Sequence, residues 1–210
     1  MHTKKRDTHY MATLAMLCGV LLVMGMTGIG FIPFPVIKAT TMHIPVILGA
    51  ILLGPAAGAV LGSVFGFCSV WANTTTPGLL SFAFSPFMST EGIAGVLKSL
   101  WIAVGCRVLF GIVAGWLWKL CKKLLNQDYI ALPVCAAVST IFHTIFVMGS
   151  IYLLLAQQYA VAKNVAVSAV FGLIMGTITA SGIPEAIVAA VLVTIIGKTL
   201  LHMMARLRKR

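Results

Sequence analysis

Long, almost uncharged runs recur along the whole chain, and only 9% of its 210 residues carry charge. A soluble domain of this length needs far more charge to cover its surface. With 60% hydrophobic residues and a mean hydropathy of +1.05, lipid is the solvent for most of the chain. The length allows roughly six spans of about 20 residues with modest loops. No soluble domain, low-complexity linker or internal repeat stands out, so residues 1–210 read as a single all-α membrane-embedded domain of the cell membrane.

The formal net charge of +11 would suggest nucleic acid in a soluble protein. Here the basic residues gather in three clusters: Lys4, Lys5 and Arg6; Lys119, Lys122 and Lys123; Arg206, Arg208, Lys209 and Arg210. The positive-inside rule assigns all three to the cytoplasm, so the charge is a topology signal and no nucleic-acid partner is expected. The five cysteines are an odd number without C-x-x-C spacing and read as small buried side chains. The basic N-terminus and the apolar run from Met11 imitate a signal peptide, but no convincing cleavage site precedes the long run, which reads as a retained first span.

Breakers divide the chain. Span 1 covers about 10–32, span 2 about 43–53, span 3 about 56–72, span 4 about 98–120, span 5 about 131–156, and the last span runs from 182 to near 204. Six crossings place all three basic clusters on one side, with both termini cytoplasmic. The apolar segment 162–180 would make a seventh and put the C-terminus outside, so it is not expected to cross. The outer connections, about 30–42, 73–97 and 157–182, hold most of the unusual polar residues. A channel would carry polar groups along its whole axis. Their collection at one end predicts a cup: a ligand pocket near the outer face.

Arg107 is too deep in span 4 to snorkel, and such an arginine costs a few kcal/mol or more unless paired or wet. It is either a structural clamp or a donor at the floor of the pocket for an anionic or carbonyl-rich ligand. Glu185, after Pro184, is a helix-start acid, an acceptor for ligand hydroxyls or a partner for Arg107. His43 is a ligand donor or a helix-start polar residue. His143, mid-span, is most simply a buried histidine with a carbonyl partner, with a functional role as the alternative. Asn73 and Thr74–Thr76 close span 3 as caps or as pocket wall. Thr41, Thr75 and Asn164 complete the candidate lining. Phe31, Phe34, Trp71, Phe82, Phe84 and Phe87 form an interfacial belt or loops folded over the site. Ala12, Ala15 and Gly19 on span 1 allow close approach of another helix, and Gly58, Gly62 and Gly66 form a ridge read as internal packing. No metal site, nucleotide motif or catalytic triad stands out, so an enzyme is not expected; a small intramembrane enzyme using His43, His143 or Glu185, or a ligand-free scaffold, are the rivals.

The residues TMHIPVILGAILLGP at 41–55, GAVLGSVFG at 58–66, RVLFG at 107–111 with Ala114 and Gly115, and GIPEAI at 182–187 together resemble the substrate-binding S components of energy-coupling factor (ECF) vitamin transporters. The resemblance spans nearly the whole chain. It implies six helices, a vitamin site near the outer surface built from the connections after spans 1, 3 and 5, and a prokaryotic plasma membrane. It implies as partners one transmembrane coupling protein and two ATPase subunits, which use the ATP; no cofactor is expected in this chain. Family members dock through an alanine-x-x-x-alanine motif on span 1, matched here by Ala15-x-x-x-Gly19 with Ala12 adjacent, and topple in the membrane to release cargo. TMHIP, GIPEA and the polar end of span 3 look most like pantothenate-type members. Thiamine, hydroxymethylpyrimidine, folate and riboflavin remain alternatives.

Overall fold

The computed structural model describes residues 2–28, 30–33, 38–89, 91–125 and 127–208. In chain order it forms α1 (His2–Thr27), a hairpin of β1 (Phe31–Pro33) and β2 (Lys38–Thr40), α2 (His43–Leu53), α3 (Pro55–Thr75) and the short α4 (Ser81–Phe84). Helix α5 (Gly92–Leu100) continues through a π turn, Trp101–Gly105, into α6 (Cys106–Leu125). Helix α7 (Asp128–Lys163) follows, and then α8 (Val170–Thr177), which a second π turn, Ile178–Gly182, joins to α9 (Ile183–Arg208).

Five helical runs are long and apolar enough to cross a membrane: Thr8–Thr27, Pro55–Thr75, Gly92–Leu125, Asp128–Lys163 and Val167–Met203. Helix α2 is different. Its 11 residues reach about 16 Å, short of a hydrocarbon core of about 30 Å. Every residue from His43 to Ile51 is buried, so protein surrounds this helix on all sides. Gly54 ends it with φ +97° and ψ −179°, a conformation essentially confined to glycine, and Pro55 opens α3 where a missing N–H costs nothing.

The tightest pairing joins α3 to α6. A Cβ built on Gly58 would stand 2.1 Å from the Gly111 carbonyl oxygen, and one on Gly62 would stand 2.2 Å from that of Arg107. Gly66 faces Val104 and Gly115 faces Pro55 in the same way. The glycine ridge is therefore a backbone-to-backbone seam inside the molecule, as its position beside the Gly54–Pro55 turn suggested. Gly25 of α1 packs on Cys68, and Gly49 lies against Leu17 and Leu61. Gly182 meets Thr144, and Gly197 meets Leu132. These contacts make α1 antiparallel to α2 and parallel to α3, and α9 antiparallel to α7. The start of α1, the Gly54 turn, the α6–α7 connection and the end of α9 share one end of the bundle, which collects the three basic clusters. Lys209 and Arg210 lie outside the described residues.

Three elements differ from the sequence expectation. The connection after α1 is a hairpin, with Phe31 opposite Thr40 and Pro33 opposite Lys38, closed at its neck by Thr41 N–H donating to the Gly30 carbonyl at 2.9 Å. Residues 162–180 finish α7, turn at Asn164 (φ 54°) and supply α8, which the second π turn makes continuous with α9. The last helical run accordingly begins well before Gly182. Pro184 lacks the N–H that an unbroken α-ladder would use, and the π turn just before it absorbs the interruption without ending the helix.

Candidate substrate-binding site

Arg107 stands on the α3–α6 seam with its backbone against Gly62, and this fixes its depth. Its side chain is only 5% exposed. Nη1 donates to the carbonyls of Ile102 (3.1 Å) and Ala103 (2.7 Å), which belong to the preceding π turn. The widened turn interrupts the regular ladder there, and the guanidinium meets the carbonyl oxygens. The guanidinium carbon lies 4.7 Å from the Phe65 ring centroid and 5.3 Å from that of Phe84. Nε, fully buried, has no hydrogen-bond partner.

The chain holds four carboxylates. Glu91 pairs with Lys98 at 2.7 Å, Asp128 pairs with Lys122, and Glu185 Oε1 accepts the Thr40 N–H at 3.0 Å. The fourth, Asp7, stands in the second turn of α1. Among the described residues no carboxylate meets Arg107, so the expected alternative of a Glu185–Arg107 pair is not what the structure contains. Glu185 is not a free helix-start acid either. It ties the base of the hairpin to α9.

His143 shares the Phe65 ring with Arg107, and a second buried histidine, His43, opens α2. His143 on α7 is 7% exposed, its ring 4.7 Å from Phe110 and 5.8 Å from Phe65, with no partner at Nε2. His43 is 2% exposed; its ring lies near the Thr40 backbone without a well-formed hydrogen bond at either nitrogen. His143 is within electrostatic range of both Arg107 and His43. Five elements (α2, α3, α4, α6 and α7) thus converge on one polar layer, with Glu185 of α9 and Thr41 at the hairpin neck beside it. Toward the basic end the interior is solid apolar core, including Leu48, Leu61, Phe110, Leu132 and Val193.

Other candidate residues lie elsewhere. Asn73 and Thr75 sit about 12–15 Å along α3 from the level of Phe65. Asn73 donates to the Ser69 carbonyl and accepts from Ser81 Oγ at 3.0 Å, while Thr74 and Ser85 share a 2.7 Å hydrogen bond. Both side chains fasten α4 across the end of α3, which delivers Phe84 over Arg107. Thr75 donates to the Trp71 carbonyl. Asn164 caps α7 and, with Gln157, lines a shallow open hollow about 30 Å along α7 from His143. Of the aromatic cluster, Phe84 folds inward, Trp71 and Phe87 face outward, and Phe34 lies outside the described residues. Sequence reasoning missed Phe65 and Phe110. Phe110 follows Arg107 by three positions, so it shares its helix face; Phe65 carries no comparable signal. Among the described residues no group of His, Cys, Asp or Glu could hold a metal ion.

On α1, Ala12, Ala15 and Gly19 are exposed, and a Cβ on Gly19 would meet nothing within 4 Å. The opposite face, with Leu17 and Leu21, packs into the core. The small residues therefore have no partner inside the described chain.

Residues 9–197 match the family model described as ECF transporter, substrate-specific component. A pantothenic acid transporter, PanT, of Lactococcus lactis subsp. cremoris (strain MG1363) is 32% identical over 197 residues, covering 92% of this chain and 94% of the relative. An apolar helical bundle with spanning runs and a family match over nearly its whole length make the chain a member of the substrate-specific components of ECF transporters.

Proposed function

We propose that this chain is the membrane subunit that binds pantothenate for an ATP-driven ECF uptake system. Pantothenate carries a carboxylate, an amide and two hydroxyls. Its carboxylate would lie on Arg107 Nε, with His43 as a neighbouring donor and Glu185 and Thr41 holding the hairpin that walls the site. The PanT relative supports the choice of vitamin. The chain would cross the membrane six times, α2 making the short second crossing inside the bundle. Both termini and the basic clusters would be cytoplasmic, and the hairpin and α4 would face outward. The exposed Ala12–Ala15–Gly19 face would dock the coupling membrane protein, and two ATPase subunits would supply the energy. The chain itself would bind cargo and catalyse no reaction.

The single observation that carries this reading is the unpaired charge of Arg107. Burying an ion costs several kcal/mol even after relaxation. Two carbonyl bonds and two aromatic rings recover part of that, since charged hydrogen bonds contribute about 1.5–3 kcal/mol and a desolvated cation–π contact about 2. They neutralise nothing; a bound anion does. Isothermal titration of the purified protein tests it. Pantothenate should bind the unsubstituted protein, and Arg107→Gln should lose more than about 2 kcal/mol of that binding. An unchanged dissociation constant would reduce Arg107 to a structural clamp.

A further inference from the structure

An anion on Arg107 leaves the neighbouring imidazole unexplained. A buried polar atom left without a partner is costly, and His143 Nε2 is such an atom inside the same layer. Its ring cannot simply turn away, because Phe65 and Phe110 flank it at 5.8 and 4.7 Å. The guanidinium is confined in a similar way. Phe65 and Phe84 lie against it and Nη1 is engaged, so the edge formed by Nε and Nη2 is what it can offer. The layer therefore presents polar edges, while the rings that could stack on a flat ligand are already packed against Arg107 and His143.

Resting on the reading above, we infer that His143 is a second ligand-contacting and specificity-determining residue. It takes a hydroxyl of an aliphatic carboxylate whose anionic end lies on Arg107, and the site excludes ligands that bind by ring stacking. A hydroxyl suits this nitrogen because it both donates and accepts, so it satisfies Nε2 in either tautomer of the neutral ring. The chemistry recognised is an aliphatic hydroxy acid, not a flavin, pterin or pyrimidine.

The test compares pantothenate with the alcohol in which CH₂OH replaces its carboxylate, by titration of the purified detergent-solubilised protein. The unsubstituted protein should prefer the acid, and Arg107→Gln should abolish that preference. His143→Phe keeps a ring between Phe65 and Phe110 but removes the nitrogens. It should weaken both ligands by about tenfold or more while preserving the acid-to-alcohol ratio. His143→Gln places an amide near the Nε2 position and should restore most of the affinity at an unchanged melting temperature. Excess riboflavin, folate or thiamine should not displace pantothenate. Wild-type affinity in His143→Phe, equal losses in both histidine variants with parallel drops in melting temperature, or displacement by a flat-ring vitamin would each overturn the inference. Failure of the unsubstituted protein to bind pantothenate would instead remove the functional reading beneath it.

Discussion

Arg107 and Glu185 are opposite charges in one layer, yet each has a separate task. The glutamate accepts the Thr40 N–H across 145 positions of sequence, and the arginine is held by its own helix and two aromatic rings. Glu185→Ala should leave that N–H without its acceptor, loosen the hairpin base by about 1–3 kcal/mol and speed hydrogen exchange at Thr40. Glu185→Gln, which keeps an accepting oxygen, should remain close to the original protein in the same exchange measurement. The deep polar residues were legible in the sequence because an ionisable side chain inside a span is expensive and stands out. Phe65 and Phe110 were not, because the chain has 11 phenylalanines and only three-dimensional register selects these. Asn73 illustrates the converse: its polarity marked it as pocket wall, and its hydrogen bonds fasten α4 instead.

Helices α3 and α6 meet along glycines whose missing side chains are replaced by the opposing backbone. Gly62→Val would drive its Cβ toward the Arg107 carbonyl, where no flexible side chain can yield. Overpacking of this kind costs typically 1–3 kcal/mol, occasionally more, and here it displaces the residue that fixes the site. The expected result is a lower melting temperature together with weakened ligand binding. Gly172→Ala in α8, where a Cβ meets nothing within 4 Å, should be neutral or stabilise by up to about 1 kcal/mol in the same melts. The ridge and the Gly-Pro break between α2 and α3 could be read from spacing. The hairpin could not, since two three-residue strands, one of them ending in a proline, are too short to show alternation. The π turns were equally hidden: Trp101–Gly105 has a composition like any other apolar turn, and its widening shows only in the carbonyls that Arg107 takes up.

The bundle presents one face of α1 that it does not use. Enlarging it with Ala15→Leu or Gly19→Leu should abolish uptake by cells while the purified variants bind pantothenate with unchanged affinity; a matching loss of binding would place this face inside the fold. The arrangement of helix ends was legible because three basic clusters had to share a side, and the contacts of α1 and α9 bring their cytoplasm-assigned ends together. The lengths were less so: α7 counts 36 residues but breaks at Leu155 (φ −136°, ψ 24°), and the part before the break alone reaches about 40 Å, longer than a bilayer core, because apolar composition continues past the point where lipid would end. Below the polar layer, the described residues fill the interior with the glycine seam and the apolar core. On the proposed reading, a vessel closed at its base and open at one mouth would be emptied on the far side only by turning it over, so delivery would be a motion of the entire body and not the opening of a second door.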